Sequence, residues 1–143
     1  MSRLLDTLKT NFGYTAFRPL QAEAINQFLT GRDVVVLMPT GGGKSICFQV
    51  PALLLPGLTL VVSPLISLMK DQVDALTANG IPATFINSSI DSLELARRMA
   101  DAVSGKYKLM YLAPERLSVP GIHTWLKACT ISALAIDEAH CIS

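Results

Sequence analysis

The chain is poor in charge. Only 16% of its 143 residues are Asp, Glu, Lys or Arg, against roughly 25% in an average soluble protein. What charge there is nearly cancels, at a net +1. No basic field marks the chain out for nucleic acid, so any such reading must come from motifs. Cysteine is sparse: Cys47, Cys129 and Cys141 show no metal-ligand pairing. An odd, scattered set suits small core side chains in a reducing compartment. Long apolar runs are missing too. The longest, Val50 to Val62, is broken by Pro51, Pro56 and Gly57 and falls short of the ~18 residues of a membrane span. The opening MSRLLDTLKTNFGY is too polar for a signal peptide. There is no repeat, no low-complexity tract and no linker. These absences predict a soluble protein inside the cell with no membrane partner.

What is present is apolar residues, 50% of the chain, which predicts a heavily buried, sheet-rich domain or a piece of a larger one. Leu4, Leu5, Leu8 and Phe12 recur at helical spacing, with Gly13 as the stop. Pro19 suits the first turn of a second helix with Leu20, Ala24, Ile25, Phe28 and Leu29 on one face. Residues 33–37 and 58–63 read as strands around a helix at 43–54. Leu65, Leu68, Met69, Val73 and Leu76 predict another helix face, closed by Asn79 and Gly80. Residues 83–86 read as a weaker strand. Asp91 with Glu94 resembles a capping box, before a helix face of Ala96, Met99, Ala100 and Val103. A strand at 108–112, a short helix at 122–129 with Trp125 in the core, and a strand at 131–137 complete the pattern. The runs VVVL, LTLVV and ALAID read as strands buried on both faces. The fold class is therefore α/β, a parallel sheet with helices on both faces. Ligands of such sheets bind at the carboxyl ends of the strands.

One of those ends carries MPTGGGKS, residues 38–45, followed at once by a helix. That is the context of a phosphate-binding loop. Backbone N–H groups can surround a polyphosphate only where side chains are absent, which calls for glycine at 41, 42 and 43. The positive end of the next helix points to the same place. Thr40 and Gly41, Gly42 and Gly43 form the cradle, Lys44 supplies charge for the outer phosphates, and Ser45 offers a hydroxyl to Mg2+. The general pattern wants glycine where Met38 stands.

A phosphate loop needs a carboxylate to organise the metal and a base to orient water. LAIDEAHCIS offers both at the end of a later apolar strand. Asp137 is the candidate to hold Mg2+, Glu138 to activate water, and His140 to sense the γ-phosphate or couple it to a neighbouring surface.

Together PTGGGKS and DEAH resemble superfamily 2 helicases, which accept a non-glycine at the position of Met38. Further stretches sharpen the resemblance to the RecQ family of DNA helicases: LKTNFGYTAFRPLQ (8–21), VVSPLISLMKDQ (61–72), YLAPERL (111–117), and CIS directly after DEAH. The resemblance implies a RecA-like ATPase domain over residues 1–143, with ATP and Mg2+ as cofactors and DNA as partner. It implies that Gln21 reads the adenine edge while Tyr14 and Arg18 stack on its faces. It places Pro64, Ser67, Lys70 and Arg116 on a path for single-stranded DNA. These offer turn backbone, hydroxyl and cation to phosphates, without an aromatic platform. It implies 3′-to-5′ unwinding in replication, recombination or repair, in the cytoplasm of a bacterium or the nucleus of a eukaryote.

The sequence stops at Ser143. The family's aromatic-rich loop, the rest of the first RecA-like domain, the second with its arginine finger, and the zinc-binding and winged-helix parts are not in it. The expectation is a C-terminally truncated domain that depends on those parts in cis or in trans. The strand expected between the glycine-loop strand and the acidic strand is also missing. That leaves different sheet pairing, a second chain in the gap, or a self-associating edge. Three other functions stay open: a nucleotide-binding module without turnover, a DEAD/DEAH-type RNA helicase, and a small P-loop kinase.

Overall fold

Leu5, Leu8 and Phe12 share one side of a helix in the computed structural model, where α1 spans Ser2–Phe12. The structure describes residues 2–14, 16, 25–26 and 46–136. Apart from Ile25 and Asn26, the helix expected after Pro19 and the strand expected at 33–37 lie outside these. Gly13 ends α1 at φ +76°, a left-handed conformation open to glycine. α2, Ile46–Leu54, is apolar but for Gln49, and its residues 47–52 are buried, the pattern of an interior helix. Leu8, Ile25 and Val50 form a small core flanked by Phe12 and Leu54. Burial pushes the Cys47 thiol up, so it behaves as a protonated core side chain. These elements make up one compact unit, Met1–Pro56, and the remainder makes up another, Gly57–Ser143.

The second unit alternates strand and helix: β1 Leu58–Val62, α3 Ile66–Ala78, β2 Ala83–Ile86, α4 Ser92–Val103, β3 Leu109–Leu112, a 3-10 turn Pro114–Ser118, α5 Ile122–Ala128 and β4 Ile131–Ile136. The strands run in the order β2-β3-β1-β4, all parallel. Right-handed crossovers then dictate the layers. The step from β1 to β2 runs one way along the sheet; those from β2 to β3 and from β3 to β4 run the other. α3 therefore covers one face, and α4 and α5 the opposite face. The core on the α4–α5 side joins Leu58, Leu60, Ile86, Met110 and Leu112 to Ala102, Ile122 and Trp125. Trp125 is core, as expected, and its indole N–H donates to the Met99 carbonyl at 3.0 Å. Cys129 is buried beside it, with its thiol pushed up by desolvation.

Several details differ from the sequence pattern. LTLVV is buried at every position, as a central strand requires. β4 is not: Leu134 and Ile136 are each 57% exposed. Burial alternates along it, with residues 131, 133 and 135 half-buried and residues 132, 134 and 136 exposed, and among the described residues β4 is an edge strand with β1 on one side. On α3 the buried stripe is Met69, Val73 and Leu76. Leu68 is exposed, because a neighbouring residue sits about 100° round the helix. On α4 the inward residues are Leu95, Met99 and Ala102, whereas Ala96, Ala100 and Val103 face solvent. Leu95 buries more area than the alanine beside it, and that area sets the rotation of the helix.

Asp91 caps α4 by accepting from Glu94 N–H at 2.8 Å. Only half of the expected capping box forms, because the Glu94 carboxylate pairs instead with Arg97 and with Arg98. Hydrogen bonds from these two guanidinium groups lower the Glu94 pKa to about 2.

β1 begins under a tight constraint. Leu58 N–H donates to the Thr130 carbonyl at 2.8 Å, and the β1–β4 register shifts between Leu58 and Thr59. Gly57 stands just before this shift at φ +80°, where an added Cβ would lie 2.5 Å from the Thr130 carbonyl oxygen and 2.9 Å from Ser132 Oγ. No helix among the described residues is long and apolar enough to cross a membrane.

Candidate functional site

In a parallel sheet every strand points its carboxyl end the same way, so loops distant in sequence meet along one edge. Here three such loops are tied together by backbone hydrogen bonds: Ser63 N–H after β1 donates to Leu112 O at 3.1 Å, and Ala113 N–H after β3 donates to Ile86 O at 3.2 Å. The first loop turns on Ser63, a buried hydroxyl that accepts from Leu65 N–H at 3.3 Å. Pro64 follows, half-buried, and Ser67 is exposed in the first turn of α3. The third loop enters the 3-10 turn through Pro114 and presents Arg116, half-buried, from its middle.

The structure thus brings Pro64, Ser67 and Arg116 to one edge. Lys70 lies one turn along α3, exposed. Its ammonium binds Asp74 at 2.7 Å, a contact that raises its pKa. An exposed i,i+4 pair of this kind is weak and screened by salt, so Lys70 can exchange Asp74 for another anion at small cost.

The second loop, not among the expected site residues, follows β2, with β3 between it and β1. Asn87, Ser88 and Ser89 follow β2, with Asn87 buried and both serines exposed. Its signal was there, a turn-forming Asn-Ser-Ser directly after an apolar strand. The Arg116 guanidinium donates to the Asn87 carbonyl at 3.2 Å. The edge therefore offers hydroxyls at 67, 88 and 89 and a guanidinium held by a backbone carbonyl. Such groups grip a phosphodiester backbone and carry no base code.

Tyr14 is exposed just beyond α1. Arg18, Gln21, Thr40, Gly41, Gly42, Gly43, Lys44, Ser45, Asp137, Glu138 and His140 lie outside the described residues. The donor chemistry expected for Mg2+, a serine hydroxyl and an aspartate carboxylate, fits a hard cation that prefers oxygen. Elsewhere a shallow cleft of about 190 Å³, lined by Gly57, Pro82, Tyr107, Lys108 and Thr130 among others, opens at the amino ends of the strands. It is remote from the edge where the loops converge, and no facing carboxylates line it.

The family profile described as DEAD/DEAH box helicase matches residues 18–143. The ATP-dependent DNA helicase RecQ of Pasteurella multocida is 51% identical over 97% of this chain. That of Bacillus subtilis is 49% identical over all of it, and the putative ATP-dependent DNA helicase Q1 of Caenorhabditis elegans 44% identical over 95%. The chain spans only 22–24% of these relatives' lengths. Among solved structures, the RNA helicase Prp28 of Chaetomium thermophilum bound to ADP superposes with a TM-score of 0.67 at 25% identity, covering 98% of this chain and 37% of that one.

Proposed function

This chain belongs to the DEAD/DEAH box helicase family, and from that membership we propose that it is the ATP-binding part of a RecQ-type DNA helicase that unwinds DNA in the 3′-to-5′ direction. Its relatives at about half identity bear the name ATP-dependent DNA helicase. The observation that carries the reading is the convergence of loops 63–67, 87–89 and 113–116 on one sheet edge, in a chain that also holds PTGGGKS and DEAH.

The division of labour follows from the residue chemistry. The amides of residues 41–45 surround the triphosphate, and Lys44 neutralises its outer charge. Gln21 reads the adenine edge, with Tyr14 and Arg18 on the ring faces. Ser45 and Asp137 would hold Mg2+, which when bound would neutralise charge on the outer phosphates. Glu138 takes the proton of the attacking water, and His140 couples that event to the neighbouring surface. The edge with Pro64, Ser67, Lys70, Arg116 and the Asn87–Ser89 loop holds one DNA strand by its backbone. An arginine supplied by another domain is worth about 10³–10⁵ in hydrolysis rate, so rapid turnover belongs to the protein at its relatives' length.

The test is strand separation by that longer protein. A duplex with a 3′ single-stranded tail is unwound with ATP, and one with a 5′ tail is not. Single-stranded DNA raises the ATPase rate at least tenfold. Tight nucleotide binding with no DNA-stimulated turnover would favour a regulatory nucleotide-binding module instead. The Prp28 likeness gives an RNA substrate a specific claim, and equal stimulation by RNA of the same length would favour it.

A further inference from the structure

Asn87 is polar, sits in a loop and is 1% exposed. A buried carboxamide is costly unless paired; here its pairs close its own loop and reach α3, while its main chain reaches the turn after β3. Its Nδ2–H donates to Met69 Sδ on α3 at 3.4 Å, across 18 residues of sequence. Its Oδ1 accepts from Ser89 N–H at 2.8 Å and also from the Ser89 hydroxyl. Its main-chain carbonyl accepts from Arg116, 29 residues away, at 3.2 Å. One residue at the end of β2 thus links the helix after β1 to the turn after β3.

The Asn87 side chain is engaged at both polar atoms and buried, so it does not itself face a ligand. The exposed groups are Ser88 and Ser89 and the half-buried Arg116. A guanidinium carries five N–H donors in a fixed fork. The bond to Asn87 uses one and aims the rest. Ordering that long side chain before a strand arrives removes entropy that would otherwise be lost on binding. The carbonyl can aim Arg116 only if loop 87–89 holds one conformation, and the Asn87–Ser89 turn imposes it.

The geometry points to Asn87 as a positioning residue: it registers Arg116 and the Ser88-Ser89 loop against each other, so that they present one phosphate-gripping surface to a single nucleic-acid strand. This rests on the proposed role of the edge.

The test is a double-mutant cycle in the full-length protein, read by the anisotropy of a labelled oligothymidylate across a salt series. Arg116→Ala weakens binding about tenfold and lowers the salt slope by about 1, the signature of a lost phosphate contact. Asn87→Ala weakens it about fivefold with the same change of slope, and adds nothing in the Arg116→Ala background, because both remove one interaction. Ser89→Ala, at an exposed position that folding tolerates, weakens binding about threefold, and by clearly less than that in the Arg116→Ala background, where the share acting through Arg116 is already gone. It carries the prediction if Asn87→Ala does not fold. A loss that persists in full on top of Arg116→Ala, or no loss at all, would reduce Asn87 to the closure of a turn and overturn the inference. No effect of Arg116→Ala on affinity or slope would instead remove the edge from the nucleic-acid path and take down the wider reading.

Discussion

Glu138→Gln in the full-length protein leaves Mg-ATP binding intact and lowers DNA-stimulated hydrolysis about 10²–10⁴-fold, the range that a positioned general base supplies. The substitution keeps the size of the side chain and its ability to hydrogen-bond a water, but replaces a basic carboxylate by a neutral amide that does not take the proton. Lys44→Ala acts at an earlier step. It deletes a full charge from a site of concentrated phosphate charge, and charge-assisted hydrogen bonds are worth about 1.5–3 kcal/mol each. Nucleotide affinity falls about tenfold to a hundredfold, with turnover lost in consequence. Calorimetry with a slowly hydrolysed analogue separates the two variants: the glutamine variant binds as the parent does, and the alanine variant binds about tenfold to a hundredfold more weakly. Equal turnover by the glutamine variant and the parent would show that Glu138 is not the base.

Gly57→Ala lowers the melting temperature by about 10 °C, through two effects at one position. A non-glycine residue at φ +80° costs about 1–2 kcal/mol. The new methyl also meets the Thr130 carbonyl oxygen at 2.5 Å, and that oxygen belongs to the backbone that starts β4, so it has no easy retreat. A total of about 3 kcal/mol matches the predicted shift for a chain of this size. Gly80→Ala is the internal control. Gly80 has nearly the same φ, +79°, but nothing within 4 Å of the added Cβ, so only the conformational cost remains. A melt followed by circular dichroism should show the larger loss at Gly57; equal losses would mean that the contact with β4 is not tight.

How much of this was legible depended on how local the physics was. β1, β2 and β3 were readable to within a residue because turn formers bracket their apolar runs: Gly57 and Pro64 around β1, Pro82 and Asn87 around β2. The rotation of α4 was not, because both candidate stripes contain apolar residues and only the packing of Leu95, Met99 and Ala102 against the core decides between them. Lys70 is expected as a cation for DNA, and in the structure Asp74 holds it. That pairing was visible as an i,i+4 spacing. Asn87 was invisible as a connector, since its partners lie 18 and 29 residues off and meet only once the sheet has formed. The residues proposed to grip nucleotide are the opposite case. Their chemistry is that of a short glycine loop and an acidic pair, both written contiguously.

The chain has a single tryptophan, and Trp125 lies buried on α5 with its indole bonded to the backbone of α4. Indole emission responds to the polarity around the ring and to the state of its N–H. The ring is therefore a built-in optical gauge for the Gly57–Ser143 unit. Its colour shifts when α5 parts from α4, and no dye has to be attached to see it.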